Sequence, residues 1–540
     1  MTLLLRTSSD LAGISDDVAW IATTGTAPAS VGRPQKLAQP ARRLHAAFDE
    51  IGQDWWGLAQ RLANGPGAQY SHALTCAAMN SDLGVMLAWS RLAGELAADE
   101  RVVLMLCDDG FLFRHLSDLP GVEAGRPPRL WPGRVRRWLR GLLARTRHGG
   151  RTAYAALVLR SSRRPHRKSH RKSGGASDGT CLIVYGHPHS GAGQDAYFGT
   201  LMADLPGLTH VLHTDCSLAT ARRLGAETAA TSLHGWGSAW AALGGLTTRW
   251  RPTGVELAGP HGWLIRRAAE LEGSGAAAAA SRWQTLCQAA WLDGVHPKAV
   301  VWPWENHPWE RALVHAAHQR GIATVGYQHT VVSKHIFNYS PKSNPDGIKG
   351  LPQSVLCNGP AFRRQLEALG VPKDRLAVGG AFRIQIAETS NFDATGPVFV
   401  ALSNDAEICR QMMAAVVDAA GPGRHFLIKD HPMYPYAISE TEAIRATSVP
   451  LTEQGAVSAV LYSTGTVGLE ALLFGLPTLR FLPEARIAAD ILPPGLAPVI
   501  VDAETLDGAL DSLDPPPAVP RDSVISPVDL SVWRRYLPAA

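Results

Sequence analysis

Two short stretches carry the side chains best suited to phosphate chemistry. HFLIKDHPMY (425–434) supplies Lys429, His431 and Pro432, and VLYSTGTVGLEALLFGLPTLRF (460–481) supplies Ser463, Thr464, Gly465, Thr466 and Glu470. Each follows an apolar, β-rich run, and the ends of such strands in open α/β sheets are where ligands bind. In the second stretch the predicted strand passes through Ser-Thr-Gly-Thr directly into a helix. Free backbone N–H groups and hydroxyls are expected there for an anion, with Gly465 letting the backbone come close. Glu470, one turn into the helix, is placed to accept hydrogen bonds from ribose hydroxyls. Lys429 and His431 are expected to meet the same phosphate, His431 as donor to a leaving group. Ser-Thr before a helix is ordinarily an N-cap, so the ordered pair of elements, rather than either one, points to a phosphate site. A GxxxxGK[ST] loop is absent from the sequence, which leaves P-loop chemistry unsupported.

A second group of residues suits proton transfer. Glu305 follows the run KAVVWPW at its C-terminal end and is the first candidate for the base that deprotonates an acceptor hydroxyl. Glu310 falls in the next helix and is assigned to acceptor or sugar contact. YQHT (327–330) offers Gln328 as a sugar contact and His329 as a base or a sugar or nucleotide contact. Earlier in the chain, YGHPHSGAGQD offers His187 and His189 for acceptor binding and Asp195 as an alternative base. Their spacing matches no standard metal site and no DxD motif is evident, so neither a metal nor a separate cofactor is expected. The structural alternatives stay open: Glu305 or Asn306 as a helix cap, and His329 as a buried, hydrogen-bonded histidine.

The elements that must position these residues follow from hydropathy. From about residue 298, short β-rich runs alternate with helical patterns, the sign of a parallel sheet covered by helices. The first half is less regular, but RVVLMLCDDG, CLIVYGHP and THVLHTDC read as strands. The expected fold class is α/β, with two Rossmann-like doubly wound domains facing a cleft. The expected boundaries are 1–295 for an acceptor-side domain with a basic insert at 126–178, 296–513 for a nucleotide-sugar domain, and 514–540 for a Pro-rich connector and C-terminal helix.

With 540 residues, 46% hydrophobic and 18% charged, the chain has ample material for large cores. The seven cysteines are scattered and form no CxxC, which fits a reducing compartment. The net charge of +5 conceals an asymmetry: residues 126–172 hold 16 Lys or Arg and no Asp or Glu, leaving about −11 elsewhere. Within 126–145, Trp131, Val135, Trp138, Leu139, Leu142 and Leu143 recur at roughly helical spacing among arginines. Such a helix suits an anionic membrane surface, and a solvated helix packed on its own domain is the alternative. No nucleic-acid module accompanies the basic residues. The short apolar run at the N-terminus is not that of a signal peptide, so the expected location is cytoplasmic, peripheral on the inner face of the membrane.

The His-Pro element, the strand–Ser-Thr–helix element and the EALLFGLP run resemble the C-terminal half of GT-B glycosyltransferases. The His-Pro and Ser-Thr pair is similar to that of bacterial sialyl- and Kdo transferases, which use CMP-activated sugars. That resemblance implies His431, Ser463 and Thr464 as holders of the nucleotide phosphate. The block 302–341 also resembles bacterial surface-carbohydrate biosynthesis proteins with an ENxxWE motif. The resemblance implies a GT-B glycosyltransferase moving a sugar from a nucleotide donor, CMP favoured, to a surface polysaccharide or lipid-linked glycan. A UDP-sugar transferase or epimerase, a CDP-alditol phosphotransferase and a non-catalytic scaffold are the alternatives.

Overall fold

The computed structural model describes residues 3–24, 35–62, 65–71, 82–160, 179–187, 190–383, 391–431, 434–516 and 519–537. Their strands form three sheets in which every pairing is parallel. The first, ordered β2–β3–β1–β4, comprises β1 (Leu3–Arg6), β2 (Ala19–Ala22), β3 (Val103–Leu106) and β4 (Val122–Ala124).

The second sheet has seven strands: β5 (Thr180–Val184), β6 (Thr209–Leu212), β7 (Thr231–Ser232), β8 (Ala299–Pro303), β9 (Ala323–Gln328), β10 (Ser354–Cys357) and β11 (Leu376–Val378). Their order is β11–β10–β9–β8–β5–β6–β7. The third has six: β12 (Val398–Ala401), β13 (Phe426–Lys429), β14 (Ile444–Ala446), β15 (Ala459–Tyr462), β16 (Thr478–Phe481) and β17 (Val499–Val501), ordered β14–β13–β12–β15–β16–β17. Strands β5 and β8 are buried at every residue, as expected of central parallel strands covered on both faces by helices.

The second and third sheets are the two doubly wound units of the expected GT-B-like architecture. The boundary expected at 295/296 is corrected, because it falls inside the second sheet: β8 pairs with β5, with Ala299 opposite Thr180. The break lies after β11, and residues up to 124 form a separate, smaller unit. Apolar packing joins the units. Leu469, Leu472 and Leu473 of the third unit share one buried cluster with Trp302, Trp304 and Val332 of the second. Phe337 and Ile487 join the core of the first.

The C-terminal tail crosses back onto the second sheet. Its helix Leu530–Tyr536 buries Trp533, whose indole N–H donates to the Gly379 carbonyl at 2.9 Å and whose ring lies 5.3 Å from Tyr327.

The basic segment is one helix of 29 residues, Trp131–Leu159. Gly141, Arg145, Gly149, Thr152 and Ala156 form its buried stripe. Gly141 is required by packing, since a Cβ there would sit 2.0 Å from the Gly273 carbonyl oxygen. The Trp and Leu positions of its first turns are exposed, Trp131 at 66% and Trp138 at 53%. The stretch 161–178 lies outside the described residues.

Candidate functional site

In the second sheet, β5 has β6 and β7 on one side and the later strands on the other, so the winding reverses between β5 and β8. The crevice beyond the C-terminal ends of such a pair is where open α/β sheets bind ligands. Tyr185 leaves β5 there, Glu305 leaves β8, and His329 follows β9. All three line one cavity of about 370 Å³, together with His213, His307 and Trp309.

Local sequence fixes the Glu305 loop. Pro308 opens the helix Pro308–His318, and Glu310 in its first turn folds back over the preceding loop. Its carboxylate accepts the Trp302 indole N–H at 3.0 Å and the backbone N–H groups of Glu305 at 3.0 Å and Asn306 at 2.9 Å. These bonds hold Asn306 at φ 61, in the left-handed region where Asn is tolerated. Glu310 is 1% exposed, and burial pushes its carboxyl up to about 7. It braces the loop, which corrects its expected role as a sugar contact.

Glu305 is half-buried between two imidazoles, 2.8 Å from His307 Nε2 and 3.3 Å from His329 Nε2. Burial works to raise its pKa, but the hydrogen bonds and positive potential of His307 and His329 prevail and hold it well below the ordinary range. A carboxylate so stabilised is a weak base but a good partner for an imidazole that gains a proton. His329 is 4% exposed, and its Nδ1 is buried with no protein partner. With Nε2–H donated to Glu305, Nδ1 carries the lone pair.

The remaining candidates of this half do structural work. Asp195 is 3% exposed and accepts the Ser190 hydroxyl at 3.0 Å and the N–H groups of Tyr197 at 2.8 Å and Phe198 at 3.0 Å. It shapes the loop that presents Tyr197, a bracing role in place of the expected base. Gln328 is fully buried: it accepts the Asn358 N–H at 3.0 Å and donates to the Thr330 carbonyl, tying β9 to β10. It is corrected from sugar contact to sheet brace. His187 is half-buried, edge-on to Tyr197 at 6.1 Å. His189 lies outside the described residues.

The third sheet reverses its winding between β12 and β15. Ser403 leaves β12 and Thr464 follows β15, their hydroxyls 3.3 Å apart. Ser463 is fully buried and donates to the Phe481 carbonyl oxygen at 3.0 Å. Its hydroxyl is committed to β16, which corrects the expectation that it faces a phosphate. Gly465 has φ 144, a conformation open to glycine alone, and a Cβ there would meet nothing within 4 Å. The glycine therefore serves the turn rather than a close approach to protein atoms. Thr466 precedes the helix Val467–Leu473, of only 7 residues.

Lys429 donates to the Ser448 carbonyl at 2.6 Å, leaving the other ammonium N–H groups of its three for a ligand. His431 is half-buried against Tyr434 at 5.3 Å, and burial lowers its pKa. Pro432 lies outside the described residues. Burial raises the pKa of Glu470, opposed by a hydrogen bond with Thr466 and the charge of Arg383.

Arg383 connects the two crevices. Its guanidinium lies 5.0 Å from the centre of the Tyr197 ring, and that ring meets His329 edge-on at 4.9 Å. Its charge also acts on the Glu470 carboxyl in the third unit. Among the described residues, no group of three or more His, Cys, Asp or Glu is placed to hold a metal ion. Sequence reasoning missed Tyr185, Tyr197, His213, His307, Arg383 and Ser403. YGHP and THVLHTDC were legible as strand ends, and their first polar or aromatic residues were the available signal.

No protein-family model matches the chain, and no curated protein matches it. Among solved structures, UDP-GlcNAc 2-epimerase from Neisseria meningitidis bound to UDP-GlcNAc superposes at TM-score 0.33 and 10% identity, over 56% of this chain and 82% of that one. CalG4, the calicheamicin glycosyltransferase, gives 0.39 and 13% over 62% and 88%. The glycotransferase of kitacinnamycin gives 0.37 and 15% over 67% and 95%. Superpositions this loose transfer neither site nor substrate, and the architecture here rests on this chain's own strand order.

Proposed function

We propose that this protein is a metal-independent glycosyltransferase that moves a sugar from a nucleotide donor to a hydroxyl of a surface glycan or lipid-linked precursor. The observation that carries the reading is the stack His329–Tyr197–Arg383, which leads from a polar, imidazole-lined cavity in one doubly wound unit to a guanidinium whose charge acts on Glu470 beyond a strand end of the other.

The acceptor hydroxyl enters the β5/β8 cavity and gives its proton to His329 Nδ1, which is buried in the free protein and opens to the cavity as the acceptor binds. Glu305 orients the ring through Nε2–H and balances the imidazolium that forms, as in other carboxylate–histidine pairs. The acceptor oxygen bonds to the anomeric carbon while the bond from that carbon to the donor phosphate oxygen breaks. The departing phosphate is stabilised by the Thr464–Thr466 backbone, the Ser403 and Thr464 hydroxyls, Lys429, His431 and Arg383, the electrostatic contribution expected to be largest. Glu470 holds the ribose. CMP is the first nucleotide to test, on the His-Pro and Ser-Thr elements, and UDP the second. The outward Trp and Leu face of the helix Trp131–Leu159 rests on an anionic membrane surface, where a lipid-linked acceptor is presented.

Calorimetric titration with CMP, UDP, CDP and GDP, with and without EDTA, tests the reading in wild type, His431→Ala and Arg383→Ala. Metal-independent binding of one nucleotide, weakened in both variants, is the expected result. No binding of any nucleotide by the wild type overturns the transferase reading in favour of a scaffold.

A further inference from the structure

Beneath the first turns of the helix Trp131–Leu159 lies a cavity of about 380 Å³ whose lining is strongly basic. Arg134, Arg137, Arg249 and Arg251 line it, with Glu270 as the one acidic lining residue and Trp138 at its rim. Glu270 is already taken, 2.5 Å from Arg134 Nε and 2.9 Å from Arg137 Nη2. Arg249 and Arg251 are both exposed and have no carboxylate partner among the described residues. They flank Trp250, 3% exposed and packed in the core of the first unit, and all three residues line the cavity. Their positive field reaches the buried Arg145, whose pKa is lowered by burial and by these two neighbours.

Two unpaired guanidiniums beside an already neutralised pair leave a cavity with excess positive charge and donors in forked geometry, a match for phosphate oxygens. Apolar side chains stand immediately beside it. Trp138 belongs both to the cavity rim and to the exposed face that includes Trp131, Leu139 and Leu142. A group that satisfies both surfaces has a phosphate at its head and hydrocarbon next to it.

We propose that this cavity binds the phosphate headgroup of an anionic membrane lipid, with the adjoining Trp and Leu side chains in the acyl boundary. The inference deepens the membrane-surface reading above: it gives that surface a specific headgroup site, built by the long helix together with residues 249–251. The helix alone supplies non-directional attraction, whereas the cavity fixes where the protein sits and how it is turned.

Co-sedimentation with phosphatidylcholine vesicles, with and without phosphatidylglycerol, tests it in three proteins: wild type, Arg249→Ala/Arg251→Ala, and Trp138→Ser/Leu142→Ser. Far-UV circular dichroism and urea midpoints check that the variants fold. Wild type is expected to bind only the phosphatidylglycerol vesicles. The double arginine variant should bind them more than about 30-fold more weakly, beyond the roughly 5-fold per basic residue that non-directional attraction to an anionic surface accounts for. Failure of the wild type to bind either vesicle overturns the membrane reading and the headgroup site together. Wild-type binding that the arginine variant retains in full, but the Trp138→Ser/Leu142→Ser variant loses, overturns the headgroup site alone. Calorimetry with inorganic pyrophosphate separates the sources: tight pyrophosphate binding lost in the arginine variant, with vesicle binding unchanged, makes it a soluble-phosphate site and overturns the lipid assignment.

Discussion

Replacing Glu305 with glutamine keeps the side chain's size and removes the charge that faces both imidazoles. When His329 Nδ1 takes a proton, the ring becomes a cation whose Nε2 lies 3.3 Å from a Glu305 oxygen. At that separation the attraction is about 5 kcal/mol at an effective dielectric of about 20 and about 1 kcal/mol in bulk water. Glu305 is half-buried, so about 3 kcal/mol is expected between these limits. All of it appears in the step that creates the cation. The loss in kcat is therefore about 10²-fold, with KM for donor and acceptor unchanged. Release of free nucleotide from the donor, followed by anion-exchange chromatography in the presence of acceptor, gives both constants. Because Glu305 acts through His329, adding Glu305→Gln to His329→Gln should cost nothing further. A Glu305→Gln enzyme with wild-type kcat refutes the pairing, and so do losses that simply add in the double variant.

Two stability predictions follow from buried polar groups. Glu310→Ala leaves the Trp302 indole N–H and the backbone N–H groups of Glu305 and Asn306 without their acceptor. At about 1–3 kcal/mol for each buried donor so stranded, a loss of at least about 3 kcal/mol in urea unfolding is expected, and an unchanged midpoint contradicts the bracing role. His45 is buried between the Ala41 carbonyl at 2.8 Å and the Ala488 N–H at 2.9 Å, and burial lowers its pKa from 6.5 to about 3. Its contribution is complete above the unfolded pKa and is lost as pH falls towards the folded one, by about 1.4 kcal/mol per pH unit. Urea midpoints should fall more steeply on acidification in wild type than in His45→Leu; parallel slopes refute the linkage.

The strands of the second and third sheets were legible because central parallel strands are apolar throughout, and KAVVWPW, PVFVALS and AVLYS each read that way. Pairing was not. Nothing in the local pattern of β8 shows that its partner is β5, far earlier in the chain, so the start of the regular strand–helix alternation near 298 reads as the start of a domain. The same limit applies to side chains at strand ends. Ser463 and Thr464 look equivalent in sequence, yet one hydroxyl points into the sheet and the other towards Ser403. Glu305 and His329 could be nominated because each directly follows a strong apolar run. Tyr197 and Arg383 follow no such run, and their importance comes from contacts between distant segments.

The returning tail has a further consequence for how the molecule can be divided. The chain leaves the second sheet through 379–382 and comes back through 526–529, and the two passages are stitched together: Ala381 N–H donates to the Ser526 carbonyl at 3.0 Å and Asp529 N–H to that of Gly379 at 3.1 Å. Entry and exit therefore share one doorway, and the whole third unit is an excursion from a core that closes on Trp533 without it. Such a module joins the rest of the chain at one place, so moving it between proteins takes one pair of neighbouring cuts, with the apolar surfaces around Leu469 and Ile487 having to match those of the other two units.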